Sequence, residues 1–163
     1  MKVFKLQIDD FDEVSFDLIA IHSSLEDYRL AFFLNQKLPV LLEKSKKPIE
    51  VMTKNGEVCF TKFTYFDINQ DLGWNLFQNK NEIEIIETNN NQNLFMNTEM
   101  ALATPVFMLP EFKKVDFFLK IENQNSNYDI VEIVSKIKKI KSISTVYHID
   151  NQSIKSKNNL IFQ

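Results

Sequence analysis

The chain has 163 residues, of which 44% are hydrophobic and 25% are charged, which is typical of one soluble globular domain with its own core. Its two glycines exclude a P-loop and a dinucleotide-binding fingerprint, because both motifs need several glycines at fixed positions. No run of 18 apolar residues occurs, acidic residues stand where a signal peptide would be apolar, and Cys59 is the only cysteine. We therefore expect a single domain over residues 1–163, cytoplasmic and without a membrane partner.

The first strands and the first helix are predicted from the N-terminal 40 residues. Alternating apolar residues predict a strand at residues 4–8, and the apolar run at 16–21 predicts a strand covered on both faces. Ser23 and Ser24, each followed three residues later by an acid, predict the N-terminus of a helix over residues 25–37 that ends before Pro39. Apolar residues nearly encircle this helix, so we expect it to be buried or shared with a partner.

The middle of the chain has the two-residue period of strands. Residues 49–53 and 58–62 flank Asn55–Gly56, which predicts a hairpin with a type I′ turn. Residues 73–77 and 82–87 predict a second hairpin, so the centre of the chain is interpreted as an antiparallel meander.

The last third predicts a strand, a helix and a strand. Residues 115–121 alternate as a strand, apolar residues from Ile130 to Ile140 have helical spacing after Asp129, and residues 143–149 form the final strand of the unit. The same order in residues 16–43 suggests two βαβ units around the meander, and Leu160–Phe162 is expected to dock as a last strand. The predicted fold is α+β, with an antiparallel or mixed sheet and two main helices.

A charge asymmetry marks the same C-terminal third. Residues 1–112 carry 10 basic and 17 acidic groups, whereas residues 113–163 carry 9 basic and 5 acidic groups. The lysine-rich part is either an ordinary solvated face or a surface for RNA or an acidic partner. The candidate basic surface consists of Lys136, Lys138, Lys139, Lys141, Lys155 and Lys157.

The side chains with catalytic potential are few. His22 and His148 fall near strand ends and could meet in space if those strands are neighbours, so they are interpreted either as a metal or acid–base pair or as ordinary polar packing. Cys59 lies in a predicted hairpin strand and is expected to be a buried, inert thiol. The sequence predicts no catalytic residue, no metal site and no cofactor.

Two carboxylates lie close together in the chain. Glu111 follows a proline, and Asp116 is placed inside a predicted strand with apolar neighbours, where aspartate is rare. They are interpreted either as an acid–base pair or as acceptors for loop N–H groups or for Arg29, Lys113 or Lys114. Arg29 stands out because the chain has 18 lysines and one arginine, and only arginine offers a planar pair of donors.

The segment Leu109-Pro110-Glu111-Phe112-Lys113-Lys114-Val115-Asp116-Phe117 resembles the signature of the bacterial IPExxxVDY family. Pro110, Glu111, Val115 and Asp116 match that signature, whereas Leu109 replaces isoleucine and Phe117 replaces tyrosine. The Asp27–Ala31 segment and the Lys155–Phe162 tail are also similar to this family. The resemblance implies a small cytoplasmic bacterial protein and supplies no catalytic residue.

Three classes of function are compatible with these patterns. The first is a non-enzymatic binding, scaffolding or adaptor domain that acts through protein–protein contacts, including self-association through helix 25–37 or a sheet edge. The second is RNA association through the C-terminal lysines. The third is either a small-ligand sensor resembling ACT modules or an enzyme that uses Glu111 and Asp116.

Overall fold

The computed structural model describes residues 15–87, 100–123 and 127–162, so the strand predicted at residues 4–8 lies outside the described residues. In chain order, the described elements are β1 (Phe16–Ser23), α1 (Asp27–Lys37), β2 (Glu43–Lys44), β3 (Ile49–Thr53), β4 (Gly56–Phe60), β5 (Lys62–Asp67), β6 (Leu72–Gln78), β7 (Lys80–Glu87), β8 (Met100–Phe107), β9 (Phe117–Asn123), α2 (Ile130–Lys138) and β10 (Ile143–Ile149). Short 3₁₀ helices lie at Pro110–Phe112, Asn151–Ser153 and Lys157–Leu160.

Six of these strands form one sheet in the order β10-β1-β9-β6-β5-β2, and every neighbouring pair is antiparallel. The predicted α+β fold is therefore confirmed. Since β9 and β10 are both antiparallel to β1, they run parallel to each other with β1 between them. The predicted βαβ unit of β9, α2 and β10 is thus present, but with a strand inserted in its middle. The strands β1 and β2 also run the same way, and three strands separate them.

The two faces of this sheet carry two hydrophobic cores, because side chains alternate along a strand. The helix-side core contains Ile19 and Ile21 of β1, together with the inward faces of α1 and α2. The tail-side core contains Leu18 and Ala20 of β1, the β3–β4 hairpin, and residues of the C-terminal tail that follows β10. All four β1 residues are fully buried, which confirms that this strand is covered on both faces.

The helices follow their predictions closely, except at one end. α1 ends at Lys37 as expected but begins at Asp27, because the Ser23 hydroxyl accepts the Leu25 N–H and donates to the Ser142 carbonyl instead of capping the helix. The Asp129 carboxylate caps α2 by accepting two N–H groups of its first turn, which confirms the predicted start. Neither described helix is long and apolar enough to cross a membrane.

The strand pairing of the middle region differs from the meander that was predicted. The β3–β4 hairpin is confirmed, but the type I′ turn predicted at Asn55–Gly56 is wrong. Thr53 pairs with Gly56, so the two turn residues are Lys54 and Asn55, and neither has the positive φ that this turn needs. The positive φ, of 127°, belongs to Gly56. The predicted pairing of 73–77 with 82–87 is wrong, because β6 pairs with β5 and β9 while β7 pairs with β8. The tail docks through buried Leu160 as a 3₁₀ helix and not as a strand.

Candidate functional site

The segment that resembles the family signature forms the connection between β8 and β9. Leu109 and Val115 are buried in the tail-side core and anchor the connection at both ends. Pro110 opens the 3₁₀ helix, a position where the missing N–H of proline removes no hydrogen bond. The connection is therefore a packed part of the fold, with its lysines directed to solvent.

Asn79, between β6 and β7, holds this connection from inside. Its side-chain amide donates to the carbonyls of Phe112 (2.8 Å) and Val115 (3.0 Å), and its side-chain oxygen accepts the Leu109 N–H at 2.9 Å. Two main-chain bonds of Asn79 reach the same connection. Asn79 is 0% exposed, so these bonds replace those that water would make. Sequence reasoning missed this residue, because an asparagine between two strands is also typical of a turn.

Glu111 connects this segment to the C-terminal tail. One carboxylate oxygen accepts the N–H groups of Lys155 (2.7 Å) and Ser156 (2.8 Å), and the other accepts the Ser156 hydroxyl at 3.0 Å. Burial raises the pKa of Glu111, but the donors from Ser156, Lys155 and its own backbone lower it by more, so that its pKa lies below the ordinary value. The interpretation of Glu111 as an acceptor for loop N–H groups is confirmed.

Asp116 makes a similar connection to the end of β1. One of its carboxylate oxygens accepts the Ser23 N–H at 2.9 Å. The prediction that Asp116 lies inside a strand is wrong, since β9 begins one residue later, at Phe117. The apolar neighbours of Asp116 are explained by this position, at the point where the buried connection enters the sheet.

Arg29 does not pair with either carboxylate. It lies on the exposed side of α1, and no hydrogen bond or ion pair joins it to Glu111 or Asp116, all three being among the described residues. Lys113 and Lys114 are exposed as well, and the Lys113 amine lies 5.9 Å from the ring centroid of Phe107. The predicted pairing of the carboxylates with these cations is therefore wrong, because Glu111 and Asp116 accept main-chain N–H groups instead.

The enzyme hypothesis needs one cavity that gathers both carboxylates with Arg29 or a histidine. A shallow cavity of about 190 Å³ lies beside Asp116 and is lined by the turn after β1, by Lys80 and by the ends of β6 and β9. Glu111 and Arg29 do not line it, and neither histidine does. Glu111 and Asp116 thus have separate partners, and this geometry does not support their joint action as an acid and a base.

The two histidines lie on neighbouring strands but on opposite faces of the sheet. His22 pairs with Thr145 and stacks on Tyr147 with 5.8 Å between ring centroids, whereas His148 bonds the Asp17 carboxylate at 2.8 Å. The Tyr128 hydroxyl donates to the same carboxylate, and burial followed by this bond raises the pKa of Tyr128. The histidines do not meet, although their strands are neighbours, because they sit three register positions apart with opposite parity, and their contacts are those of ordinary polar packing.

Cys59 is exposed, which corrects the expectation of a buried thiol. The burial of β4 alternates, with Val58 and Phe60 facing the tail-side core, so that Cys59 between them faces outward. Within the described ranges, no group of three or more histidine, cysteine, aspartate or glutamate side chains could hold a metal ion.

Sequence reasoning also missed a pair of buried lysines on the tail-side face of the sheet. Lys120 of β9 is 5% exposed and Lys62 of β5 is 7% exposed. The Lys120 amine donates to Glu122 and to the Leu160 carbonyl (2.7 Å), and it lies 4.8 Å from the ring centroid of Phe162. The only signal in the sequence is a lysine inside an apolar strand, which is normally interpreted as a solvent-facing position.

The candidate basic surface is divided between the two sides of the sheet. Lys136, Lys138, Lys139 and Lys141 belong to α2 and to the turn after it, and α2 packs on the helix-side core. Lys155 and Lys157 belong to the tail, which packs on the tail-side core. The two sets of lysines therefore belong to elements that pack on opposite faces of the sheet.

Comparisons with known proteins found no match: no family model, no curated protein and no solved structure is similar to this chain.

Proposed function

We propose that this chain is a non-enzymatic binding domain, with a scaffolding or adaptor role, that acts through protein–protein contacts made by α1. The observation that carries the proposal is the exposure of Tyr28 (59%) and Phe32 (58%) on the outer side of this helix. The two rings are four positions apart, so they lie next to each other on the helix surface. Aromatic side chains are enriched at protein interfaces, where they contribute a large share of the binding energy.

The two rings are not part of the core. α1 attaches to the helix-side core through Leu30, Ala31 and Leu34, which are buried on its opposite side. More than half of Tyr28 and of Phe32 remains exposed, although the ring of Phe32 also contacts that of Phe33, which packs on this core. A partner that covers them would gain the hydrophobic free energy of that surface.

A second copy of the same chain is the partner that this proposal names, because the two exposed rings of one copy and the same rings of another form a self-complementary apolar contact across a twofold axis. A twofold axis near Phe32 would set the two α1 helices antiparallel, with their dipoles opposed. Asp27 and Lys37, at the two ends of α1, face away from the two rings, so the contact is apolar and not an ion pair.

Light scattering over a range of concentrations tests the proposal. We expect the wild-type chain to be a dimer, and the Tyr28→Ser/Phe32→Ser variant to be a monomer of unchanged fold. The matched control is Ile68→Ser, in the turn between β5 and β6, which removes an exposed apolar side chain (84%) from another place and should leave the dimer intact.

A charge placed at the centre of the contact tests the twofold arrangement a second way. Phe32→Lys should dissociate the dimer, because an axis near this residue would bring two lysines together, and the effect should be larger at low salt. A wild-type monomer at every concentration would disprove the proposal. If the wild-type chain is a monomer that binds RNA at low salt, and neutralising the α2 lysines abolishes that binding, the RNA-binding alternative replaces this proposal.

We also propose that the chain belongs to the IPExxxVDY family and is a cytoplasmic bacterial protein. The four matching residues support membership because they share one structural unit, in which Glu111 and Asp116 bond main-chain N–H groups and Val115 is buried. Phe117 is buried in the helix-side core, where the hydroxyl of a tyrosine would need a partner. The exposed thiol of Cys59 is in keeping with a reducing compartment.

A further inference from the structure

A cavity of about 620 Å³ opens between residues 46–50 and the last described residues, Ile161 and Phe162. Lys46 and Lys47 stand at its exposed rim, together with one carboxylate, that of Glu50. Lys62, which is almost completely buried, lines it from the sheet. Three amines thus surround the cavity with one carboxylate, which leaves an excess of two positive charges.

The Lys62 amine has no acceptor of its own among the described residues. It lies 5.0 Å from the ring centroid of Phe162, whose π face attracts a cation but accepts no strong hydrogen bond. The nearby carboxylate of Glu122 already bonds Lys120. Burial lowers the pKa of Lys62 and the charges of Lys120 and Lys47 lower it further, against the opposing effect of Glu122. The amine is not sealed from solvent and opens into the cavity, where a bound anion would serve as its acceptor.

We propose that this cavity binds a small phosphorylated molecule. Lys62 donates to the phosphate from within the cavity, and Lys46 and Lys47 neutralise its charge at the rim. A phosphate dianion matches the excess of two positive charges, and lysine amines bind phosphate as point charges. The ring of Phe162 and the side chain of Ile49 form an apolar wall for the organic part of the ligand. This site lies on the opposite side of the sheet from α1 and is independent of the proposed dimer.

Isothermal titration calorimetry of the full chain at low salt and neutral pH tests the site, with phenyl phosphate, inorganic phosphate and benzoate as probes. We expect phenyl phosphate to bind more tightly than inorganic phosphate, because only the former reaches the apolar wall. Benzoate should bind more weakly than phenyl phosphate, since it carries a single charge. Lys62→Met keeps the side-chain stem, removes the amine and should weaken phenyl phosphate binding by at least about tenfold. Lys138→Met, an exposed lysine of α2, is the matched control and should bind as the wild type does.

If Lys62→Met does not fold, a second variant still tests the site. Because Lys46 and Lys47 are exposed, the Lys46→Met/Lys47→Met variant retains the core and should weaken phenyl phosphate binding by about fivefold or more. The proposal is overturned if phenyl phosphate does not bind in the millimolar range, or if Lys62→Met binds it as the wild type does. Equal affinities for benzoate and phenyl phosphate would overturn the assignment to phosphate. If inorganic phosphate binds at least as tightly as phenyl phosphate, the proposal that the ligand has an organic part is overturned.

Discussion

Glu111 fastens the C-terminal tail to the connection between β8 and β9, because its carboxylate accepts both the N–H and the hydroxyl of Ser156. The two residues are 45 positions apart, so this contact closes a large part of the chain on itself. The tail in turn places Ile154 and Leu160 in the tail-side core. Glu111 thus has a role in holding the fold that needs its ionised form.

Replacing Glu111 by glutamine should lower the free energy of unfolding by about 1–3 kcal/mol, because hydrogen bonds to a charged acceptor are stronger than those to an amide. Glu111→Gln keeps the size of the side chain, so the loss reports the charge. Chemical denaturation measures it. The control is Glu84→Gln, at an exposed position of β7, which should change stability by no more than about 0.5 kcal/mol. Equal stabilities of the two variants would contradict the role of Glu111.

The contribution of Glu111 should depend on pH in a defined direction. Its pKa is lowered from the ordinary value of 4.5, so the carboxylate stabilises the folded chain above that value and loses the effect as pH falls through the folded pKa. The difference in unfolding free energy between wild type and Glu111→Gln should be constant from neutral pH down to about pH 5 and shrink below it. Denaturation curves at several pH values measure this difference. A difference that grows as the pH falls would contradict the lowered pKa of Glu111.

Asn79→Ala should be among the most destabilising single substitutions in this chain. It leaves the Leu109 N–H and the Phe112 and Val115 carbonyls without their side-chain partner in a buried place, at an expected cost of about 3–5 kcal/mol. Thermal or chemical denaturation measures the loss. Asn69→Ala, at an exposed position of the β5–β6 turn, is the control and should be nearly neutral. A mild effect of Asn79→Ala would show that water replaces these bonds.

The two glycines should respond differently to alanine. Gly56 has a φ of 127°, which alanine adopts only under strain, so Gly56→Ala should destabilise the chain by about 1–3 kcal/mol. Gly73 has no such φ, and a Cβ there would meet Glu122 at an ordinary distance of 3.5 Å. Gly73→Ala should therefore be neutral or stabilise β6 by up to about 1 kcal/mol. Comparing the melting temperatures of the two variants tests the turn geometry, and equal losses would contradict it.

Local signals were sufficient for much of the fold. The alternation of β3 and β4 around a glycine predicted a hairpin, and Asp129 marked the start of α2, because these structures depend on residues that are close in the chain. The pairing of β6 was not predictable in this way. Its partner β9, which places Trp74 opposite Ile121, follows after two further strands, and no local pattern distinguishes it from β7.

The residues of the candidate sites also differ in whether local sequence signals could identify them. Glu111 and Asp116 were interpreted as acceptors for loop N–H groups, because a carboxylate among apolar neighbours needs donors. Asn79 and Lys62 could not be found in the sequence, since a lone polar residue beside apolar ones looks the same whether it faces water or a buried partner. Only the tertiary contacts distinguish these cases.

The position of β1 in the sheet has a consequence for the newly made protein. β1 is made before both of its strand partners, β9 and β10, which follow it by six or more other strands in the chain. Until they are made, its four central residues, which are fully buried in the finished fold, have two bare faces and two unpaired edges. Such distant pairing predicts folding in about milliseconds to seconds, beginning only when β10 has been made. The nascent chain is therefore the form of this protein most prone to aggregation and most in need of a chaperone.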